Sequence, residues 1–368
     1  MHLVAELRNH LNRWIFSLYS LNMTQINKSI RILTFHSAYS YGAVLQTYAL
    51  YSFLKKHYTD VKVVDFRPDY FTLKWTWNRP KSWLKYATFQ YKKPPIEYTN
   101  KITADKLRHF APSADTYIIG SDQVWNPNIT KSVQDIYFGN FIPKEIKKIS
   151  YAASFGRTEF SQAEIQQMKS LIHDFNAVSV REESAVSFLH KEFNINAQCV
   201  LDPTFLINDY TNLFHVDNVK DELAFFILNN NSNEIFEIGS SIAKIMKLKP
   251  KIINRNKPVK GFKTIMFPSI PKFLKEIYNS RFVITNSYHG LAFSIIFNKQ
   301  FVYVSTNPQN VTRAQNILEK LHLNNRLFNS YKDIITSHIW EETINYEDVN
   351  KTLMNLRQDS IHFLMKNI

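Results

Sequence analysis

His289 lies where an apolar strand gives way to a helix. It follows the apolar segment 282–285 and precedes Gly290, which opens a second apolar segment at helical spacing. An imidazole gains and loses a proton near neutral pH and therefore suits general acid–base chemistry. We predict that the His289 ring enters a cleft as a catalytic acid. The alternative is a histidine at a helix start that only forms hydrogen bonds.

Two arginines also lie at the ends of predicted elements. Arg181 follows the predicted strand 177–180, and Arg313 lies at the start of a predicted helix, 312–321. A planar guanidinium pairs with carboxylate and phosphate groups through parallel hydrogen bonds, so both arginines are candidates for holding an anion. For Arg181 the alternative is a surface ion pair with a neighbouring glutamate.

Polar residues at two further turns are candidates for binding a substrate. Ser121 and Asp122 follow the apolar strand 116–119, and parallel sheets bind ligands at such strand ends. Asp122 is either a base that orients a substrate hydroxyl or a residue that caps its own turn. His36 precedes Gly42 at a predicted helix start, where an acceptor or its phosphate could bind.

Strands and helices alternate along the chain, which predicts an α/β fold with parallel sheets. With 368 residues, the chain is longer than one core usually organises. A Trp- and Lys-rich stretch, 67–112, has no clear pattern. We predict an N-terminal amphipathic extension at 1–29, an N-terminal α/β domain at 30–205, a C-terminal α/β domain at 206–340 that carries His289, and a C-terminal helix at 341–368.

Composition narrows the classes of function. The net charge is +14, which attracts anions, but no basic run or nucleic-acid module accompanies it, so no nucleic-acid partner is expected. No Walker lysine motif or GxGxxG fingerprint occurs. The single cysteine, Cys199, and the absence of a signal peptide or membrane span predict a cytoplasmic protein. Met1–Met23 and the positive charge predict a peripheral contact with anionic lipid.

Six segments resemble, in order and spacing, the motifs of the polysaccharide pyruvyl transferase family. They are FHSAYSYGAVLQTYAL (35–50), IIGSDQVWNP (118–127), ISYAASFG (149–156), VSVREESA (178–185), VLDPTF (200–205) and FVITNSYHGLAFSIIFNK (282–299).

The resemblance implies two Rossmann-like domains that face a cleft, as in GT-B glycosyltransferases. It also implies transfer of a pyruvyl group from phosphoenolpyruvate to a sugar of a capsule, exopolysaccharide or cell-wall precursor, which forms a cyclic ketal. No cofactor or metal is expected, because phosphoenolpyruvate is a substrate. The sugar acceptor is expected to be lipid-linked or nucleotide-linked. Arg181 matches the motif arginine of the family.

The chain departs from some family members at one position. They carry an arginine two residues before the motif histidine, whereas this chain has Ser287 followed by Tyr288. Asn286 and Ser287 are therefore candidates for donating hydrogen bonds to the leaving phosphate. Two other functions stay open, a GT-B glycosyltransferase that uses a nucleotide sugar and a non-catalytic partner in polysaccharide biosynthesis.

Overall fold

The computed structural model describes residues 25–68, 87–228, 234–255, 257–305 and 311–368. Of the predicted extension 1–29, residues 1–24 lie outside the described residues, whereas 26–29 belong to the first strand of the structure. Residues 69–86 of the unplaced stretch 67–112 also lie outside the described residues. Among the described residues, no helix combines the length and apolar composition needed to cross a membrane.

The N-terminal half is built on a four-stranded sheet with the order β2-β1-β3-β4. Every neighbouring pair in it is parallel, as the alternation of strands and helices predicts. A parallel pair formed by β5 and β6 continues this half, and single bridges connect it to the segment around β4. The elements are β1 (Ile26–Leu33), α1 (Tyr41–His57), β2 (Tyr58–Val63), α2 (Ala104–His109), β3 (Thr116–Ile119), α3 (Pro127–Thr130), α4 (Gln134–Tyr137), β4 (Lys147–Ser150), α5 (Gln162–Ile172), β5 (Ser179–Val180), α6 (Glu183–Phe193) and β6 (Gln198–Cys199).

The C-terminal half is built on a six-stranded parallel sheet with the order β12-β11-β10-β7-β8-β9. Its central strand β10 is almost entirely buried, because helices cover both faces of a parallel sheet. The elements are β7 (Lys220–Phe226), α7 (Glu234–Ile245), β8 (Lys249–Arg255), β9 (Lys263–Met266), α8 (Ile270–Tyr278), β10 (Ser280–Thr285), α9 (Tyr288–Ile296), β11 (Gln300–Val304), α10 (Thr312–Lys320), β12 (Leu327–Phe328), α11 (Tyr331–Ser337) and α12 (Tyr346–Asn367).

Local sequence explains where the helices begin. Helix α5 begins with a capping box, in which Ser161 and Glu164 satisfy each other's backbone N–H groups. Helix α1 begins after Ser40, whose hydroxyl accepts from the N–H of Ala43.

One buried apolar cluster joins the two halves. It contains residues of β1 and α1 together with residues of α8 and α9. Across this contact the ring of Tyr41 stacks on Phe273, with the centroids 4.3 Å apart. Packing of this kind fixes how the strand ends of one half face those of the other.

Helix α12 crosses back from the second half to the first. Ser360 Oγ accepts from the N–H of Leu201 at 3.0 Å, and Arg357 Nε donates to the carbonyl of Phe205 at 2.5 Å. Both contacts hold the turn 200–206, which carries a residue of the candidate site.

Candidate active site

The candidate site is centred on the carboxylate of Asp202, which follows β6. Ser121 follows β3, Arg181 follows β5, and His289 lies in the first turn of α9 after β10. All three approach the same oxygen, Asp202 Oδ2, although they come from different segments and from both halves of the chain. Of the residues predicted from sequence, the structure therefore brings Ser121, Arg181 and His289 together.

Asp202 is completely buried. Arg181 Nη1 donates to its Oδ2 at 2.5 Å and Ser121 Oγ donates to the same atom at 3.4 Å. The N–H and hydroxyl of Thr204 donate to Oδ1 at 2.9 and 2.7 Å. A buried carboxylate needs such donors, because without them its desolvation would be very unfavourable.

These contacts determine the charge of Asp202. Burial alone would raise the pKa of this carboxyl, but contact with His289 and the positive charge of Arg181 outweigh burial. The pKa of Asp202 therefore lies well below its ordinary value. The group is an anion at neutral pH, placed between an arginine and an imidazole.

His289 is buried, and its two ring nitrogens have different surroundings. Nε2 lies 3.7 Å from Asp202 Oδ2 and forms no hydrogen bond, although it is buried. The Nδ1 side of the ring lies against Gly42, where a Cβ atom would be only 1.9 Å from Nδ1. Because glycine has no Cβ atom, position 42 leaves room for the imidazole. The observed position of the His289 ring therefore requires glycine at position 42.

We expect Gly42→Ala to displace the His289 ring. The added methyl group would overlap Nδ1, and overpacking of this kind costs about 1–3 kcal/mol in free energy of unfolding. Urea unfolding of the purified variant measures this loss. Activity should fall with it, because the ring can no longer keep its place beside Asp202.

Removing the imidazole provides the control for this prediction. In a His289→Ala background, the same Gly42→Ala change meets no ring and should be neutral or stabilising, because alanine favours helices over glycine. An equal loss of stability in both backgrounds would show that Gly42 does not act through His289.

Arg181 is only 2% exposed, and two of its nitrogens have no hydrogen-bond partner. Nη1 is paired with Asp202, whereas the buried Nε and Nη2 are unpartnered. Nη2 lies 3.6 Å from Asp122 Oδ1, which itself accepts from the N–H of Gln123 at 2.9 Å. Asp122 thus caps its own turn and also faces Arg181, so both predicted roles of this residue remain compatible with its position. Unpartnered guanidinium nitrogens are costly inside a protein, which makes this a place where a ligand would be favoured.

Tyr288 lies between the two candidate arginines. The Arg181 guanidinium carbon is 4.9 Å from the centre of the Tyr288 ring, and that of Arg313 is 5.7 Å from it. The edge of the same ring system meets His289 at 89°. Both guanidinium groups thus lie within the distance of a cation–π interaction with one aromatic ring.

The other predicted residues lie in different surroundings. His36 is buried, with Nε2 3.1 Å from the carbonyl of Phe66, and burial lowers its pKa to about 4. Its ring also lies 3.7 Å from Asp65 Oδ1 and packs against Tyr98. His36 is therefore an uncharged histidine at neutral pH, held against the backbone after β2.

Asn286 and Ser287 use their side chains on the backbone. Asn286 accepts from the N–H of Leu228 at 2.7 Å and donates to its carbonyl at 3.0 Å. Ser287 Oγ is the N-cap of α9 and accepts from the N–H of Gly290 at 3.4 Å. These contacts place both residues beside His289 and give each of them a structural task there.

Sequence reasoning missed Asp202 and Tyr288 as members of the site. Asp202 lies in the motif VLDPTF, but the motif alone assigned it no role. An acidic residue directly after an apolar segment was the signal that could have identified it. No group of three or more His, Cys, Asp or Glu side chains among the described residues is arranged to hold a metal ion.

The fold defines the architectural class of the protein. Its parallel sheets form two Rossmann-like halves, and the architecture is GT-B-like. UDP-N-acetylglucosamine 2-epimerase from Rickettsia bellii is similar, with 12% identity, a TM-score of 0.52, and coverage of 93% of this chain and 97% of that one. The UDP-GlcNAc 2-epimerase from Neisseria meningitidis bound to UDP-GlcNAc has 14% identity, a TM-score of 0.52, and coverage of 92% and 100%. At this identity the likeness concerns the fold alone.

The family follows from the sequence match. The family model for polysaccharide pyruvyl transferase matches residues 41–308, a range that includes Gly42, Arg181, Asp202 and His289. This protein belongs to the polysaccharide pyruvyl transferase family. No curated protein matches it.

Proposed function

We propose that this protein transfers a pyruvyl group from phosphoenolpyruvate to two hydroxyl groups of a sugar in a polysaccharide precursor. The observation that supports this most directly is that His289 and Arg181, both within the matched family region, converge on the buried carboxylate of Asp202. An acid is needed to protonate the donor, and cations are needed to hold its carboxylate and phosphate.

In the proposed reaction, His289 gives a proton to the methylene carbon of the donor. The adjacent carbon becomes an oxocarbenium-like centre, which a sugar hydroxyl attacks. Inorganic phosphate then leaves and a second hydroxyl closes the ring. Of the two hydroxyl protons, one restores the acid form of His289 and the other passes to phosphate. The products are a cyclic pyruvate ketal and phosphate, so the atoms balance without an oxidant or reductant.

The charges of the site suggest how the donor binds. We propose that its carboxylate takes the unpartnered nitrogens of Arg181, while Arg313 meets its phosphate. The Tyr288 ring covers Arg181 and has to move aside as the donor enters. With Nε2 of His289 turned toward Asp202, Nδ1 is the nitrogen proposed to deliver the proton.

Phosphate release from phosphoenolpyruvate tests this function. The purified protein is incubated with a panel of free, nucleotide-linked and lipid-linked sugars, and the product is identified by mass spectrometry as a sugar ketal. Release that depends on one of these acceptors is the expected result. Activity only with a nucleotide sugar as donor would instead support the GT-B glycosyltransferase alternative, and no turnover with any donor would support a non-catalytic role.

The location of the protein remains part of the proposal. A cytoplasmic protein that touches the inner face of the membrane through anionic lipid would meet a lipid-linked acceptor there. The net charge of +14 is the observation that favours this contact.

A further inference from the structure

Helix α6 begins without a side-chain cap of its own. Glu182 occupies its N-cap position but makes no capping hydrogen bond there, because its carboxylate accepts from Ser154 Oγ at 2.5 Å. The N–H of Glu183, the first residue of the helix, is one of the four N–H groups at a helix start that have no partner within the helix. Its partner comes from the other half of the protein.

That partner is Asn316 of α10. The N–H of Glu183 donates to Asn316 Oδ1 at 3.3 Å, and Asn316 Nδ2 donates to the carbonyl of Arg181 at 3.1 Å. The side-chain amide of Asn316 thus forms hydrogen bonds with backbone groups on both sides of Glu182. On the next turn of α10, Lys320 Nζ pairs with Glu183 Oε1 at 2.6 Å.

The turn that Asn316 holds is the one from which Arg181 extends. Helix α10 also carries Arg313, three residues before Asn316, and therefore on the same side of the helix. A single helix of the second half thus supplies one cation of the donor site and fixes the backbone of the other.

We propose that Asn316 is a positioning residue of the donor site, which holds the Arg181 turn in the orientation that binds the anionic ends of the donor. The inference rests on the proposed function for the identity of the donor, phosphoenolpyruvate. It adds that the donor site is complete only when α10 is docked on the turn 181–183, so that donor binding and the docking of the two halves are coupled.

Calorimetric titration with phosphoenolpyruvate tests the role of Asn316 without the need for an acceptor. Asn316→Ala removes both backbone hydrogen bonds, and with them the weaker contact of Nδ2 with Cys199 Sγ at 3.8 Å. It should weaken donor binding about tenfold, because a misplaced guanidinium loses its paired geometry. Gln315→Ala is the matched control, since Gln315 is the adjacent, exposed residue of the same helix and its side chain donates to Glu319 within that helix. It should bind the donor as the unaltered protein does.

Asn316→Asp separates positioning from capping. The aspartate keeps an acceptor for the N–H of Glu183 at a helix N-terminus, where a negative charge is favourable, but it places an oxygen against the carbonyl of Arg181. If Asn316 positions Arg181, this variant binds the donor as poorly as Asn316→Ala. If Asn316→Asp binds the donor as well as the unaltered protein does, Asn316 is only a helix cap and the proposal is wrong. Unchanged donor binding in Asn316→Ala would also overturn the proposal.

Hydrogen exchange distinguishes a failure of this inference from a failure of the proposed function. In peptides that cover 179–190, Asn316→Ala should speed exchange of the Glu183 amide about tenfold or more, and Gln315→Ala should not. If the unaltered protein does not bind phosphoenolpyruvate, the proposed reaction fails. Faster exchange in Asn316→Ala would then still support the inference that Asn316 holds the Arg181 turn. Unchanged exchange would reject that inference.

Discussion

His289→Ala is expected to reduce phosphate release from phosphoenolpyruvate about 1,000-fold, in the range by which general acids usually contribute to catalysis. The methylene carbon of the donor is a weak base, so its protonation depends on an acid held in place. Binding of the donor should change little, because the candidate cations Arg181 and Arg313 remain. The measurement is kcat together with the dissociation constant for phosphoenolpyruvate.

A surface histidine provides the control for this prediction. His173 is exposed at the end of α5, and His173→Ala should retain full activity. Unfolding by urea shows whether the His289 variant is folded. A folded His289→Ala protein that still releases phosphate at the original rate would contradict the assignment of His289 as the acid.

Apolar patterns predicted much of the fold. Strand β3 has the predicted limits, and β10 and α9 begin within two residues of the predicted positions, since long apolar runs with turn residues around them leave few alternatives. Strand β9 and helix α11 were not predicted. β9 is an edge strand of four residues, of which only Ile265 is buried, so its sequence carries almost no pattern.

The candidate site was harder to predict, because its central interactions join residues distant in sequence. The sequence singled out Arg181 and His289 because both follow strands, and carboxyl ends of parallel strands meet at one edge of a sheet. It did not reveal that Asp202 would lie between them. It also did not reveal that the side-chain amide of Asn286 would form hydrogen bonds with the backbone of Leu228, 58 residues away. Pairings of this kind depend on how two halves dock, which no local pattern encodes.

Asp202→Asn is expected to have the largest effect on stability of the changes considered. The substitution keeps the shape of the side chain and removes its charge, so the buried Arg181 guanidinium loses its closest carboxylate partner and keeps Asp122 3.6 Å away. Breaking a buried ion pair in this way typically costs about 3–5 kcal/mol in free energy of unfolding. Urea or guanidinium unfolding at neutral pH measures this loss.

Asp209 offers a closely matched control. Its carboxylate accepts from the N–H and hydroxyl of Thr211, as that of Asp202 accepts from Thr204, but it is exposed and has no arginine beside it. Asp209→Asn should therefore change stability by less than about 0.5 kcal/mol. Equal losses in the two variants would mean that the Asp-x-Thr turn, and not the buried charge, accounts for the effect.

The stability of the unaltered protein and the stability of Asp202→Asn should depend differently on pH. Because the pKa of Asp202 is lower in the folded than in the unfolded protein, its contribution to stability is fully present above the ordinary pKa of an aspartate. That contribution is lost as the pH falls through the lowered value. The difference in stability between the unaltered protein and Asp202→Asn should thus be constant near neutral pH and shrink below about pH 4.

The double variant Asp202→Asn, Arg181→Met tests whether the effect comes from the pair. Replacing the guanidinium with an apolar side chain of similar length removes the uncompensated charge, so part of the lost stability should return. Catalysis should not return, because His289 still lacks the anion beside Nε2 and the donor site has lost a cation. A double variant as unstable as the sum of the two single variants would show that Asp202 and Arg181 act independently, and the shared carboxylate would then no longer explain how the two halves assemble one site.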